Sequence, residues 1–265
     1  MNPGDVSVTL TCSYNMGLVL LSYIVATFAS FTALHLASQI TVASDKERTF
    51  WLLGGAVAMG VGIWAMHFIA ALAFMLPIPV SYDVTMTVLS VVPAVVASLI
   101  ALYIVSRPSM GTGALIVGGL LMGPGIAGMH YTGVSAMRMQ GKIWYDPTLF
   151  TLSVVVAIVV SIVALWLAFH LRGQSGGIGT LQKFVSALVM GVAVVGMHFT
   201  GMAAMHVTPL DPSIVAGAPM MAEGRSWMAM GIAIATGLLL TLVMIGAFAS
   251  KPAAAVSAKE SGSAV

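Results

Sequence analysis

The chain has 265 residues, of which 59% are hydrophobic and only 7% charged, against roughly a quarter charged in an average globular chain. That balance argues against a water-soluble fold. The formal net charge of +2 is spread over short segments, so no basic stripe exists to neutralise phosphates and no nucleic-acid partner is expected; a single cysteine, Cys12, cannot form an internal disulfide.

Residues 1–15 lack the positively charged stretch and small-residue cleavage site of a signal peptide, so the first helix is expected to stay in the mature protein. Beyond them, seven charge-free intervals each exceed the ~20 residues that cross a bilayer. Inside lipid every backbone amide needs a partner within the protein, and long apolar runs without alternation achieve this as helices. The spacing predicts transmembrane helices over 16–40, 50–75, 84–106, 112–137, 148–171, 183–207 and 227–249, with Pro77, Pro79 and Pro209 at exits. The expected fold is an all-α membrane protein: an outer amino-terminal segment over 1–15, a seven-helix domain over 16–249, and a disordered cytoplasmic tail over 250–265.

Lys46, Arg48, Arg107, Arg172, Lys183, Lys251 and Lys259 fall on one side of this arrangement, and Arg138, Lys142 and Arg225 on the other. Cytoplasmic loops hold the excess of Lys and Arg, which places the amino terminus outside and the carboxyl terminus in the cytoplasm. Trp51, Trp144 and Trp227 fall near helix ends, where aromatic belts are expected.

The second, fourth and sixth helices repeat one another. They read Met59-Gly60 then Met66-His67-Phe68; Met122-Gly123 then Met129-His130-Tyr131-Thr132; and Met190-Gly191 then Met197-His198-Phe199-Thr200. The preceding helices open on Tyr14-Asn15, Tyr82-Asp83 and Tyr145-Asp146, with the tyrosines 53, 48 and 53 residues ahead of the histidines. The unit is therefore a helical hairpin, and three tandem hairpins plus a closing helix account for seven spans. Their second helices run parallel, which brings His67, His130 and His198 to one depth, seven to nine residues before the predicted helix ends, or roughly 10 to 14 Å below the outer boundary.

An ionisable ring at that depth is costly unless it faces the bundle interior with a partner. Each histidine follows a methionine, and the chain holds 20 methionines. Thioether and imidazole together select copper, whereas a carboxylate-poor pocket suits neither Mg²⁺ nor Ca²⁺. Adjacent helix residues point ~100° apart, so a ligand set must be completed across helices. Met202 and Met205 lie four and seven residues beyond His198 on the expected helical face, and His206 lies at the rim. The plainer alternative is a duplicated packing histidine satisfied by a carbonyl or hydroxyl. Asn15, Asp83 and Asp146 read as helix caps, and Gly60, Gly119, Gly123, Gly128, Gly191 and Gly196 as close-approach surfaces between helices.

With Met129-His130-Tyr131-Thr132 intact and two Met-His-Phe variants at hairpin spacing, the sequence resembles the MHYT domain family of bacterial membrane proteins over about residues 14–207. The resemblance implies a stand-alone seven-helix sensor in the bacterial cytoplasmic (inner) membrane that holds copper near the outer face. It implies a response to oxygen, carbon monoxide or nitric oxide, signalled through an unknown cytoplasmic or membrane partner. It places the metal at Met66, His67, Met129, His130, Met197 and His198, with Tyr131 as a hydrogen-bonding or redox neighbour. Met137, Met202, Met205 and His206 are secondary candidates. The first copy departs, with Phe68-Ile69 in place of Tyr-Thr and no methionine seven residues after His67.

Two alternatives stay open: a haem protein with histidines ligating iron, for which Gly125, Gly128 and Gly133 could open space, and a copper transport or delivery protein using Met59, Met122 and Met190 as an inward path. No nucleophile with a base, paired carboxylates or phosphate loop is present to suggest an enzyme.

Overall fold

The computed structural model describes residues 9–211 and 223–250; the expectation for the tail beyond residue 250, and that for residues 1–8, fall outside them. Among the described residues, seven helical spans are long and apolar enough to cross a membrane, and the protein is an all-α seven-helix membrane protein. The elements are α1 (Met16–Val42), α2 (Asp45–Ala73), α3 (Val84–Leu89), α4 (Val91–Val105), α5 (Thr112–Ser135), α6 (Pro147–Leu171), α7 (Gly176–Ala204) and α8 (Glu223–Ala249). The third span is α3 and α4 together, broken at Ser90. Pro93 follows within one turn; its ring clashes with the carbonyl four residues back and it offers no amide hydrogen there.

Among the described residues, six short strands, which apolar patterning did not predict, lie at one end of the bundle: β1 (Ser13–Tyr14), β2 (Phe74–Met75), β3 (Val80–Tyr82), β4 (Met137–Met139), β5 (Gly141–Tyr145) and β6 (Met205–Pro209). They pair antiparallel as β1 with β2, β3 with β4, and β5 with β6. Each repeat is therefore a strand, a helical hairpin and a return strand, zipped at its mouth. One hydrogen bond recurs in all three, from the amide of Asn15 to the Ala73 carbonyl, Asp83 to Ala136 and Asp146 to Ala204, at 2.9, 2.8 and 2.8 Å.

The same three residues cap the helices that follow. Asn15 accepts from the Gly17 and Leu18 amides, Asp83 from Met86 and Asp146 from Leu149, which satisfies amides that have no partner within the helix.

The spans form a closed ring, α1, α2, α3/α4, α5, α6, α7 and back to α1, with α8 packed outside against α1 and α2. In this ring the second helix of each repeat lies against the first helix of the next, and a glycine seven residues before each histidine makes the approach possible. A β-carbon on Gly60 would stand 2.7 Å from the Val95 Cα, one on Gly123 2.6 Å from the Ile158 Cα, and one on Gly191 2.5 Å from the Thr27 Oγ1. Gly119 also serves a close approach, to Ile162, whereas Gly128 and Gly196 face open space, contrary to the sequence expectation. Arg225 ties α8 to the strand end by donating to the Phe74 and Val80 carbonyls at 2.7 and 3.3 Å.

Two further expectations need correction. Trp51 is buried against Leu36, Ile40 and Ala247 rather than set in an aromatic belt. The second helices end at Ala73, Ser135 and Ala204, earlier than the apolar runs do, because the chain there leaves the helix to pair as a strand. Met137 and Met205 accordingly stand in β4 and β6, off the helical face on which Met205 was expected to join His198.

Candidate metal centre

His67 on α2, His130 on α5 and His198 on α7 meet in the centre of the ring. All three are buried, at 0, 1 and 0% exposure, five or six residues before their helix ends. That is about 8 or 9 Å of helix, shallower than the apolar runs suggested. Each pair of imidazole centroids is 5.0 Å apart, and the rings are inclined to one another at 72 to 83°. One nitrogen from each lies within 4.8 Å of the others.

Their nitrogens lack ordinary partners. The Nδ1 atoms of His67 and His198 face each other at 3.1 Å, while His67 Nε2, both nitrogens of His130 and His198 Nε2 have no protein hydrogen bond. A buried polar atom without a partner is costly, and two imidazole nitrogens pointed at one another need a proton or a cation between them. The packing-residue alternative required a carbonyl or hydroxyl for each ring. None is present among the described residues.

Room for the rings comes from glycines of the adjacent repeat. A β-carbon on Gly133 would overlap His67 Nε2, and one on Gly201 would overlap His130 Nε2. These glycines follow His130 and His198 by three residues; the first repeat carries Ala70 at that position, so the threefold relation is incomplete there. With the Nε2 edges of His67 and His130 against glycine, the Nδ1 edges are the ones free to converge. Sequence reasoning missed Gly201 and read Gly133 as space for a porphyrin; the His67 ring fills it. The +3 offset shared by Gly133 and Gly201 was the available signal.

Above this layer sits an aromatic one. The residue after each histidine packs edge to face on its own histidine, with centroids 4.9, 4.8 and 5.0 Å apart for Phe68, Tyr131 and Phe199. Each also meets the tyrosine of the next repeat: Phe68 with Tyr82, Tyr131 with Tyr145, and Phe199 with Tyr14. Burial pushes Tyr14 and Tyr145 up to about 12, so these rings stay neutral and shield the histidines from water. The Tyr131 hydroxyl bonds Ser153 Oγ at 2.6 Å, which turns it away from the imidazoles.

The methionines divide. Met66, Met129 and Met197 are buried at 0, 0 and 2% exposure; Met66 packs among Leu18, Val25 and Ile69, and Met197 among Met122, Ile126 and Ala127. Met137, Met202 and Met205 share an apolar cluster with Phe74, Val134 and Val207. His206 stacks on Trp144 at 4.3 Å in the β5–β6 pair, apart from the triplet. The structure thus gathers the three histidines and Tyr131, and sets His206 and the strand methionines aside.

The MHYT family, described as the bacterial signalling protein N terminal repeat, matches residues 60–118 and 123–180. The chain belongs to the MHYT family. It is 46% identical over 89% of its length to the bifunctional diguanylate cyclase/cyclic di-GMP phosphodiesterase MucR of Pseudomonas aeruginosa, covering 34% of that protein. It is 39% identical over 83% of its length to the cyclic di-GMP phosphodiesterase NbdA of the same organism, covering 27%. To the signaling protein YkoW of Bacillus subtilis it is 37% identical over 72% of its length, covering 24%. The chain thus spans about a third or less of these relatives. No solved structure matches it.

Proposed function

We propose that this MHYT domain is a copper-binding sensor, with His67, His130 and His198 as the protein ligands. The observation that carries this reading is the buried triplet itself: three imidazoles at equal separation, none of them bonded to a carbonyl or hydroxyl among the described residues. Histidine nitrogens surrounded by apolar side chains, without a carboxylate, suit a borderline or soft ion rather than a hard one. Among the divalent ions that imidazole binds, copper is held most strongly. When bound, copper supplies a redox couple and an open coordination position for a diatomic molecule such as oxygen, carbon monoxide or nitric oxide.

The protein's part is mechanical. Each histidine comes from a different repeat, and His67 and His130 press against glycines of the neighbouring one, so a ring that turns or shifts moves a helix against its neighbour. Small displacements at a packed centre become changes in helix packing. The Lys and Arg asymmetry supports an orientation with the strand end outside the bacterial inner membrane and helix movement delivered to a signalling partner at the cytoplasmic end. The family description and the name of YkoW support a signalling role. Nothing in the site offers a nucleophile and base to act on a substrate, and we read the domain as non-catalytic. A haem is a poorer fit, because the imidazoles meet edge to face and leave no flat slot between them.

After copper-replete expression and purification in detergent under air, the wild-type protein is expected to carry stoichiometric Cu(II), and His130→Ala combined with His198→Ala to lose it. Metal-free wild type refutes the site. Zinc in its place would keep the site and remove the redox and gas-binding parts of the proposal. A porphyrin absorption band would favour the haem reading instead.

A further inference from the structure

Eight residues before each histidine, just over two turns along its helix and about 12 Å away, stand Met59, Met122 and Met190. One comes from each repeat, and all three line a single internal cavity of about 80 Å³ that Met66 also borders. The Oγ of Ser161, 1% exposed, lines the same cavity and has no hydrogen-bond partner. Ala29 and Gly62, packed against each other, also line it. Methionine commonly fills irregular gaps in apolar cores. Here four of them surround a cavity instead of closing it.

We infer that Met59, Met66, Met122 and Met190 form a second site, built of sulfur, for a soft monovalent cation of the Cu(I) or Ag(I) type. Thioethers are neutral, soft ligands that select Cu(I). The cavity wall carries neither carboxylate nor imidazole, so hard and borderline divalent ions find neither the oxygen nor the nitrogen donors they prefer. A singly charged ion that bonds strongly to sulfur suffers least, and the Ser161 hydroxyl supplies one oxygen. Met66 precedes His67, so the sulfur layer adjoins the histidine layer, but the two sites share no ligand and each can fail without the other.

The test uses the full chain in detergent, labelled with ¹³C-methyl methionine and titrated with Ag⁺ alone. The methyl signals of Met59, Met66, Met122 and Met190 are expected to shift together in one saturable step. That step should persist in the His130→Ala/His198→Ala variant. It should be lost in Met59→Leu/Met122→Leu/Met190→Leu, a volume-conserving change that keeps copper at the histidines. Shifts confined to exposed methionines such as Met16, at 70% exposure, overturn the inference, as does a saturable step unchanged in the leucine variant. Should the triple variant fail to fold, the wild-type titration still decides: interior methyls that do not move sink the site. The proposed histidine centre is judged separately by its own copper content.

Discussion

His67 and His130 owe their positions to what two other residues lack. Gly133 and Gly201 present bare α-carbons where any side chain would collide with an imidazole Nε2, and tightly packed interiors tolerate an added methyl poorly. Gly133→Ala or Gly201→Ala should therefore cost about 1–3 kcal/mol and displace a ring from the triplet, with bound copper falling well below the wild-type level by metal analysis. Gly128→Ala is the control, because a β-carbon there meets nothing within 4 Å. Equal loss of copper in all three would show that the glycines act only on helix stability. None of this was readable from residue types: a glycine in a membrane helix signals close approach, but not to which atom.

Among the elements, the strand pairs were the least legible. Phe74–Met75 of β2, Met137 of β4 and the first three residues of β6 continue the apolar runs that predict the second helices, so they read as helix ends. What stops the helices is the return of the chain to the same edge, where the backbone of each repeat's opening segment offers hydrogen bonds. The caps were legible, since Asn and Asp before an apolar run have one common use there. Asp83 does more than cap: the Met86 amide and the Arg138 guanidinium, the latter at 3.2 Å, hold its carboxyl below the usual carboxylate range. A depressed acid contributes stability above its ordinary titration range and loses it as pH falls through the lowered value. Thermal midpoints of wild type and Asp83→Asn in detergent should accordingly differ at neutral pH and converge in acid. A gap that stays constant from neutral to acid pH would place the effect elsewhere than in the carboxylate charge.

At the scale of the molecule, three hairpins close into a ring through contacts that each repeat makes with the next, and the histidines sit where all three meet. A metal held there would link the repeats as no single helix contact does. Ligands that bind only the folded state stabilise it by mass action, about 2.7 kcal/mol at a hundredfold excess over Kd. Removing Cu(II), which imidazole binds and thioether does not favour, should thus lower the thermal midpoint of the wild type, and restoring it should recover the loss, while His130→Ala/His198→Ala should melt alike with and without Cu(II). Identical melting of wild-type protein in both conditions would leave the proposed ion with no structural hold on the ring.

Composition indicated a membrane protein, and the order of residues the helix count and the threefold repeat, because apolar length and duplicated motifs are properties of the chain read in one dimension. The same reading brought three histidines to one level, since parallel helices of one design put equivalent residues at equivalent depths. Only the folded ring decided that the imidazoles touch, that glycines from the neighbouring repeat make room for two of them, and that Met59, Met122 and Met190 surround one cavity. Those facts depend on the rotation and approach of helices far apart in sequence, which are governed by packing between surfaces and not by the order of residues within any one of them.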